Sequence, residues 1–194
     1  MSRVFAELIA WLSALLASIP GTIGVRLRGW FYRKMAADGK PVIENGCVFR
    51  NPRNIRFGHN VTIGMRCFFE ATNGSVQCED FVAFNADVHF NASKGGRISV
   101  GRDSLIGPGV KVFTSNHLFV AENLPAREQG DSIADVSIGR NCWLGANVIV
   151  TSGVRIGDGS VIGAGAVVTS DIPENSLAVG VPARARKKMG SGQR

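Results

Sequence analysis

Three observations predict an all-β fold, a parallel β-helix. From Ile138 the chain reads as six consecutive hexapeptides: IGRNCW, LGANVI, VTSGVR, IGDGSV, IGAGAV and VTSDIP. Position one is always aliphatic (Ile138, Leu144, Val150, Ile156, Ile162, Val168). Position two is Gly or Thr, and position five is small or aliphatic (Cys142, Val148, Val154, Ser160, Ala166, Ile172). A strict period of six fits neither helix nor strand periodicity. It fits a triangular prism in which each hexapeptide makes one flat face and three faces make a coil. Position one then points inward, position five fits at the corner, and Gly at position two suits a tightly turning backbone.

The elements follow in order. Residues 4–19, VFAELIAWLSALLASI, are an apolar, helix-permissive run stopped by Pro20-Gly21. Its uncharged part is short for a bilayer span, and its basic start is weak for a signal peptide. The next stretch, VRLRGWFYRKMA, mixes Arg with Trp30, Phe31 and Tyr32, as interfacial helices do. The N-terminus therefore reads as a helix packed on the prism or a neighbouring subunit, or as peripheral membrane contact. Residues 42–56 form a rougher opening coil. FGHNVT, CEDFVA and VGRDSL then each begin a coil, placing Phe57, Cys78 and Val100 inward, together with Ile63, Phe69, Phe84, Phe90, Ile106 and Val112. These coils start 21 and 22 residues apart, so each carries extra corner residues, near Ser75 and Lys94-Gly95-Gly96. Between His117 and Val136 the period disappears, and a segment of that length inside a compact repeat is usually functional. The tail after Pro173 is expected to begin as an extended cover and end as a short basic helix. The division is 1–41, a helical extension; 42–173, the β-helix with an excluded loop 114–136; and 174–194, a basic tail.

Composition narrows the function. Only 19% of the 194 residues are charged, which excludes disorder, and the net charge of +7 is concentrated near the two ends. Without a recognition helix or an aromatic stacking module, a nucleic-acid partner is not expected. The four cysteines lack CxxC spacing and read as free core thiols of a reducing, cytoplasmic compartment. Of three histidines, His59 and His89 occupy outward or corner slots, whereas His117 opens the excluded loop beside Asn116. An imidazole there is suited to take a proton from an attacking hydroxyl or amine. A metal site needs converging ligands, which the different slots of the three histidines do not supply, and none is expected.

The stretches SNHLF, LPAREQG, VSIGRNCWLGANVIVTSGVRIGDGSVIGAGAVVTSDIP and AVGVPARARKK resemble the hexapeptide-repeat acyltransferases. The resemblance covers roughly residues 57–188 and is strongest to the galactoside, maltose, Nod-factor and polysaccharide O-acetyltransferases. It implies a left-handed β-helix, a homotrimer, and acetyl-CoA bound as co-substrate between adjacent subunits. His117 matches the family's general base and Asn85 an asparagine of the acceptor pocket, with Asn116 beside the base. Glu128 of REQG matches an acidic position near that histidine. Trp143 matches an aromatic beside the pantetheine arm, with corner packing as the alternative. Ala146 and Ala164 follow the LG and IG pairs used along pantetheine. Thr169 and Ser170 match a Thr-Lys pair near the nucleotide, Ser170 losing the charge that Arg186 or Lys188 would have to replace. Arg184 and Lys187 match residues that pair with the CoA phosphates, unless the basic tail is simply solvated.

The implied activity is direct O-acetyl transfer to a sugar hydroxyl of a cell-surface glycan or its precursor, with no covalent enzyme intermediate. N-acetylation of a nucleotide-linked amino sugar is the alternative on the same fold. A metal-dependent hydratase, which would need a convergent histidine triad, is the alternative from another class.

Overall fold

The computed structural model describes residues 3–39, 41–120 and 123–188, with side chains from Glu7 to Arg186. Among them, parallel strands form a solenoid with three faces. The first face stacks Val42–Ile43, Thr62–Ile63, Ala83–Phe84, Leu105–Ile106, Trp143–Leu144, Val161–Ile162 and Ser176–Val179. The second stacks Val48–Arg50, Phe68–Glu70, His89–Asn91, Lys111–Phe113, Ile149–Val150 and Val167–Val168. The third stacks Ile55–Phe57, Ser75–Cys78, Arg97–Val100, Val136–Ile138 and Arg155–Ile156, and Ile172 bridges to Ile156 beyond it.

Every position-one residue from Phe57 to Val168 is buried, and so is every position-five residue from Cys142 to Ile172. The lower prism is filled by rings: Phe69 packs on Phe49, Phe57, Phe84 and Phe90 with centroids 5.2–5.7 Å apart. Above it the filling is aliphatic. Polar residues at position five are satisfied by the next coil. Ser104 Oγ donates to the Gly139 carbonyl (2.8 Å) and accepts from Cys142 N–H (3.0 Å). The cysteines are free and buried, and burial pushes the Cys78 and Cys142 thiols above their ordinary value, which disfavours the nucleophilic thiolate.

The turning conformation falls on position four, not on position two. Left-handed backbone occurs at Asn60, Arg66, Phe81, Asp87, Asp103, Asn141 and Asn147, and at Gly109, Gly153, Gly159 and Gly165. The position-two glycines answer a different constraint. A Cβ on Gly101 would lie 2.6 Å from the Arg140 nitrogen of the next coil. Close stacking of coils, rather than backbone freedom, therefore selects glycine there.

Two helices close the N-terminal end, α1 (Arg3–Ser18) and α2 (Gly21–Phe31). Pro20, which has no N–H to continue α1, separates them. Arg28 ties both to the prism. Its guanidinium is buried and donates to the carbonyls of Leu16 (2.8 Å), Ile19 (2.6 Å) and Ile43 (2.9 Å). This caps the C-terminus of α1 with a cation, the sign its dipole favours. Among the described residues no helix is long and apolar enough to cross a membrane.

The expected C-terminal basic helix is not formed. Arg184–Lys188 is a strand, antiparallel to Ser176–Val179 after a reversal at residues 180–183. Ser176–Val179 itself continues the first face by pairing with Val161–Ile162, so the prism runs past residue 173. A strand is preferred here because the last coil would otherwise present an open edge.

Candidate functional site

The period breaks at the corner between the second and third faces. Ser115–His117 and Asp131–Ile133 leave the prism as an antiparallel hairpin. Its base is tied on both sides: Ala134 N–H donates to the Thr114 carbonyl (3.0 Å), and so does Ser152 Oγ of the next coil (2.8 Å). Thr114 Oγ1 reaches back to the Gly95 carbonyl (2.6 Å). A Cβ on Gly96 would lie 3.0 Å from Thr114, so the extra corner residues make room for the hairpin.

On this rigid base, His117 and Asp131 are opposite each other in register. Nδ1 of His117 lies 2.9 Å from Asp131 Oδ1, and Lys94 Nζ is 3.1 Å from Oδ2 of the same carboxylate. The Asp131 side chain is 18% exposed and the His117 side chain 68%. An ionised carboxylate only accepts, so Nδ1 carries the hydrogen, and Nε2 of the neutral ring is left as the acceptor. An exposed nitrogen of fixed tautomer can receive a proton from a hydroxyl brought to it. The sequence pattern marks Lys94 only as an extra corner residue and does not single out Asp131.

The other anticipated residues fall at two corners, on the first face and on the last strand. Asn116 is exposed in the same hairpin, opposite Ser132. Glu128 lies farther out in the loop and faces Arg127 (3.4 Å), while the carboxylate that meets His117 is that of Asp131. Thr169 and Ser170 are exposed at the same corner as the hairpin, in the last coil. Asn85, Ala146 and Ala164 occupy the corner between the first and second faces. There Asn85 Oδ1 accepts from Ala86 N–H (2.8 Å). Gly145 lies so close to the next coil that a Cβ on it would sit 2.7 Å from Ala164 N.

Trp143 is on the flat first face, not in a corner, and is 55% exposed between Leu105 and Val161. Following the register upward, Val161 pairs with Leu177 and Leu177 with Lys187, so Lys187 lies in the Trp143 row. The side chains of Lys187 and Lys188 lie outside the described residues. Arg184 and Arg186 are exposed on the same strand. Trp143, Ala146, Ala164 and the basic strand thus share one side of the prism, while His117 stands at another corner of the same chain.

The three histidines do not converge: His59 is at the third corner, His89 on the second face and His117 in the hairpin. Among the described residues no group of three His, Cys, Asp or Glu could hold a metal ion.

Residues 135–170 match the family described as the hexapeptide repeat of succinyl-transferase. A relative from Escherichia coli (strain K12), WbbJ, named for O-acetyl transfer in lipopolysaccharide biosynthesis, is 36% identical over 155 residues, 76% of this chain and 78% of its own. The chain belongs to the hexapeptide-repeat acyltransferases. The galactoside O-acetyltransferase of Escherichia coli (strain K12) is 40% identical over 93 residues, 47% of this acyltransferase and 44% of the relative. The chain thus spans under half of that relative's length. The structure of a galactoside acetyltransferase in complex with coenzyme A superposes with a TM-score of 0.68 at 25% identity, covering 98% of this acyltransferase and 84% of that chain.

Proposed function

We propose that this acyltransferase moves an acetyl group from acetyl-CoA to a sugar hydroxyl of a cell-surface glycan or its precursor. The observation that carries the proposal is the His117–Asp131 pair, 2.9 Å apart on the hairpin that leaves the prism. Nε2 of His117 takes the proton of the acceptor hydroxyl as its oxygen attacks the thioester carbonyl. Asp131 stabilises the imidazolium that results. A backbone amide donates to the tetrahedral oxyanion. Collapse breaks the C–S bond, and the imidazolium returns its proton to the leaving CoA thiolate. The products are the O-acetyl sugar and free CoA thiol, with no covalent enzyme intermediate.

The two-corner distribution supports a homotrimer in which each site lies between subunits. One subunit would supply His117, and its neighbour the Trp143 face with Ala146 and Ala164. In that cleft the adenosine end of CoA would meet Arg184 and Lys187. The sugar acceptor is supported by the relatives' names, one a galactoside O-acetyltransferase and the other an O-acetyl transferase of lipopolysaccharide biosynthesis.

Incubation with acetyl-CoA and a panel of sugars, following free thiol release, tests the activity. His117→Ala should lower kcat by about 10²–10⁴-fold with an accepted sugar. Full turnover by that variant would remove His117 from the chemistry.

A further inference from the structure

Two apolar stripes on the N-terminal helices stay largely exposed to solvent. On α1, Leu8, Trp11, Leu12 and Leu15 recur at helical spacing and are 61, 74, 44 and 62% exposed. On α2, Ile23, Leu27 and Trp30 do the same at 69, 40 and 65%. The opposite side of α1 is already used, with Leu16 buried and Ile9 and Ser13 half-buried. Exposed faces of this size are uncommon on monomeric soluble proteins and mark interaction sites.

Between α1, the end of α2 and the opening coil lies a groove of about 1210 Å³, with Leu8, Leu12, Trp30 and Phe49 in its lining. The charged residues lining it are Arg33, Lys34, Arg50, Arg53 and Arg56, with no carboxylate among the described lining residues. Arg50 lies 3.6 Å from Glu70 outside the lining, and Arg33 stacks over the Trp30 ring at 4.9 Å. Apolar stripes beside a groove whose charged lining residues are all cationic suit an anionic amphiphile. A second copy docking through the same face is the poorer match, because it would set these cations against their own counterparts. At 16 residues α1 spans about 24 Å, less than the roughly 30 Å of a hydrocarbon core, so it would lie on a bilayer and not cross it.

We propose that α1 and α2 form a docking surface for an anionic lipid bilayer. The Leu8–Leu15 and Ile23–Trp30 stripes enter the headgroup–acyl boundary, and the basic groove meets the lipid phosphates. Near an anionic surface each basic residue strengthens binding about fivefold.

Co-sedimentation of the full chain with vesicles tests this, using phosphatidylcholine alone and phosphatidylcholine mixed with phosphatidylglycerol. Binding to the mixed vesicles should exceed binding to the neutral ones by about tenfold or more. Trp11→Ser with Leu15→Ser, and separately Arg33→Glu with Lys34→Glu, should each weaken it by about tenfold or more, with parental circular dichroism and elution volume. Absence of binding to the anionic vesicles, or equal binding to both kinds, overturns the proposal. So does a change of elution volume in the stripe variant, which would mean that a second copy covers this face. The readout needs no turnover, so it stands or falls separately from the acetyl transfer proposed above.

Discussion

His117 and Asp131 are fourteen residues apart in sequence and adjacent in space only because a hairpin sets them in register. Replacing Asp131 with Asn would offer Nδ1 an N–H donor, favouring the tautomer that puts the hydrogen on Nε2. Asp131→Asn should therefore lower kcat on the order of 10²-fold while leaving the KM for acetyl-CoA nearly unchanged. Parental kcat in steady-state assays would reduce Asp131 to a loop brace through Lys94. The histidine was legible in the sequence because it stands where the period stops. Its partner was not, because pairing inside a non-periodic segment depends on hairpin register. His89 behaves differently. Its ring packs between Phe68 (4.7 Å) and Phe113 (5.8 Å), and its buried Nε2 has no hydrogen-bond partner among the described residues. Burial, with Lys111 nearby, holds this imidazole below its ordinary value, so it stays neutral in the fold. As pH falls below about 6.5, the unfolded chain takes up the proton first and stability is lost. His89→Phe should flatten that decline, measured as the denaturation midpoint from pH 7 to pH 5 at one protein concentration.

At the scale of a coil, the hexapeptide places two kinds of demand on glycine. Gly101 has no room for a Cβ beside Arg140 N (2.6 Å), whereas Gly165 has open space but a φ of +71°. Gly101→Asn should cost roughly 2 kcal/mol, because the neighbouring coil must shift. Gly165→Asn should be nearly neutral, since Asn141 and Asn147 hold the same position at φ 51° and 57°. Chemical denaturation of the two variants separates these causes; equal losses would contradict them. The period of six revealed the inward positions because burial at position one repeats without exception from Phe57 to Val168. The distinct roles of positions two and four were harder to read, since both favour glycine. Arg66 and Phe81 hide the second pattern by taking the left-handed conformation without being Gly, Asn or Asp.

Across the whole molecule, a solenoid has two open ends, and this chain closes each with a different element. Arg28 fixes the helical pair over the first coil, and Arg184–Lys188 covers the last strand of the first face. Removing residues 181–194 should leave Ser176–Val179 as an exposed edge and turn a defined elution peak into aggregates, visible by light scattering. A truncated chain that remained monodisperse would show that the edge needs no cover. The basic tail was visible as charge, but its conformation was not, because the neighbouring strand, rather than local propensity, determines it.

The tied base of the hairpin has a consequence for how such proteins diversify. Lys111–Phe113 and Ile149–Val150 pair as if the excursion were absent, and so do Arg97–Val100 and Val136–Ile138. The excursion therefore behaves as an exchangeable cassette, spliced at Thr114 and Ala134 into an otherwise continuous lattice. Its outer residues can be lengthened or replaced without disturbing the coils beneath. New acceptor preferences could then be selected in the cassette while the prism and its stability are inherited unchanged.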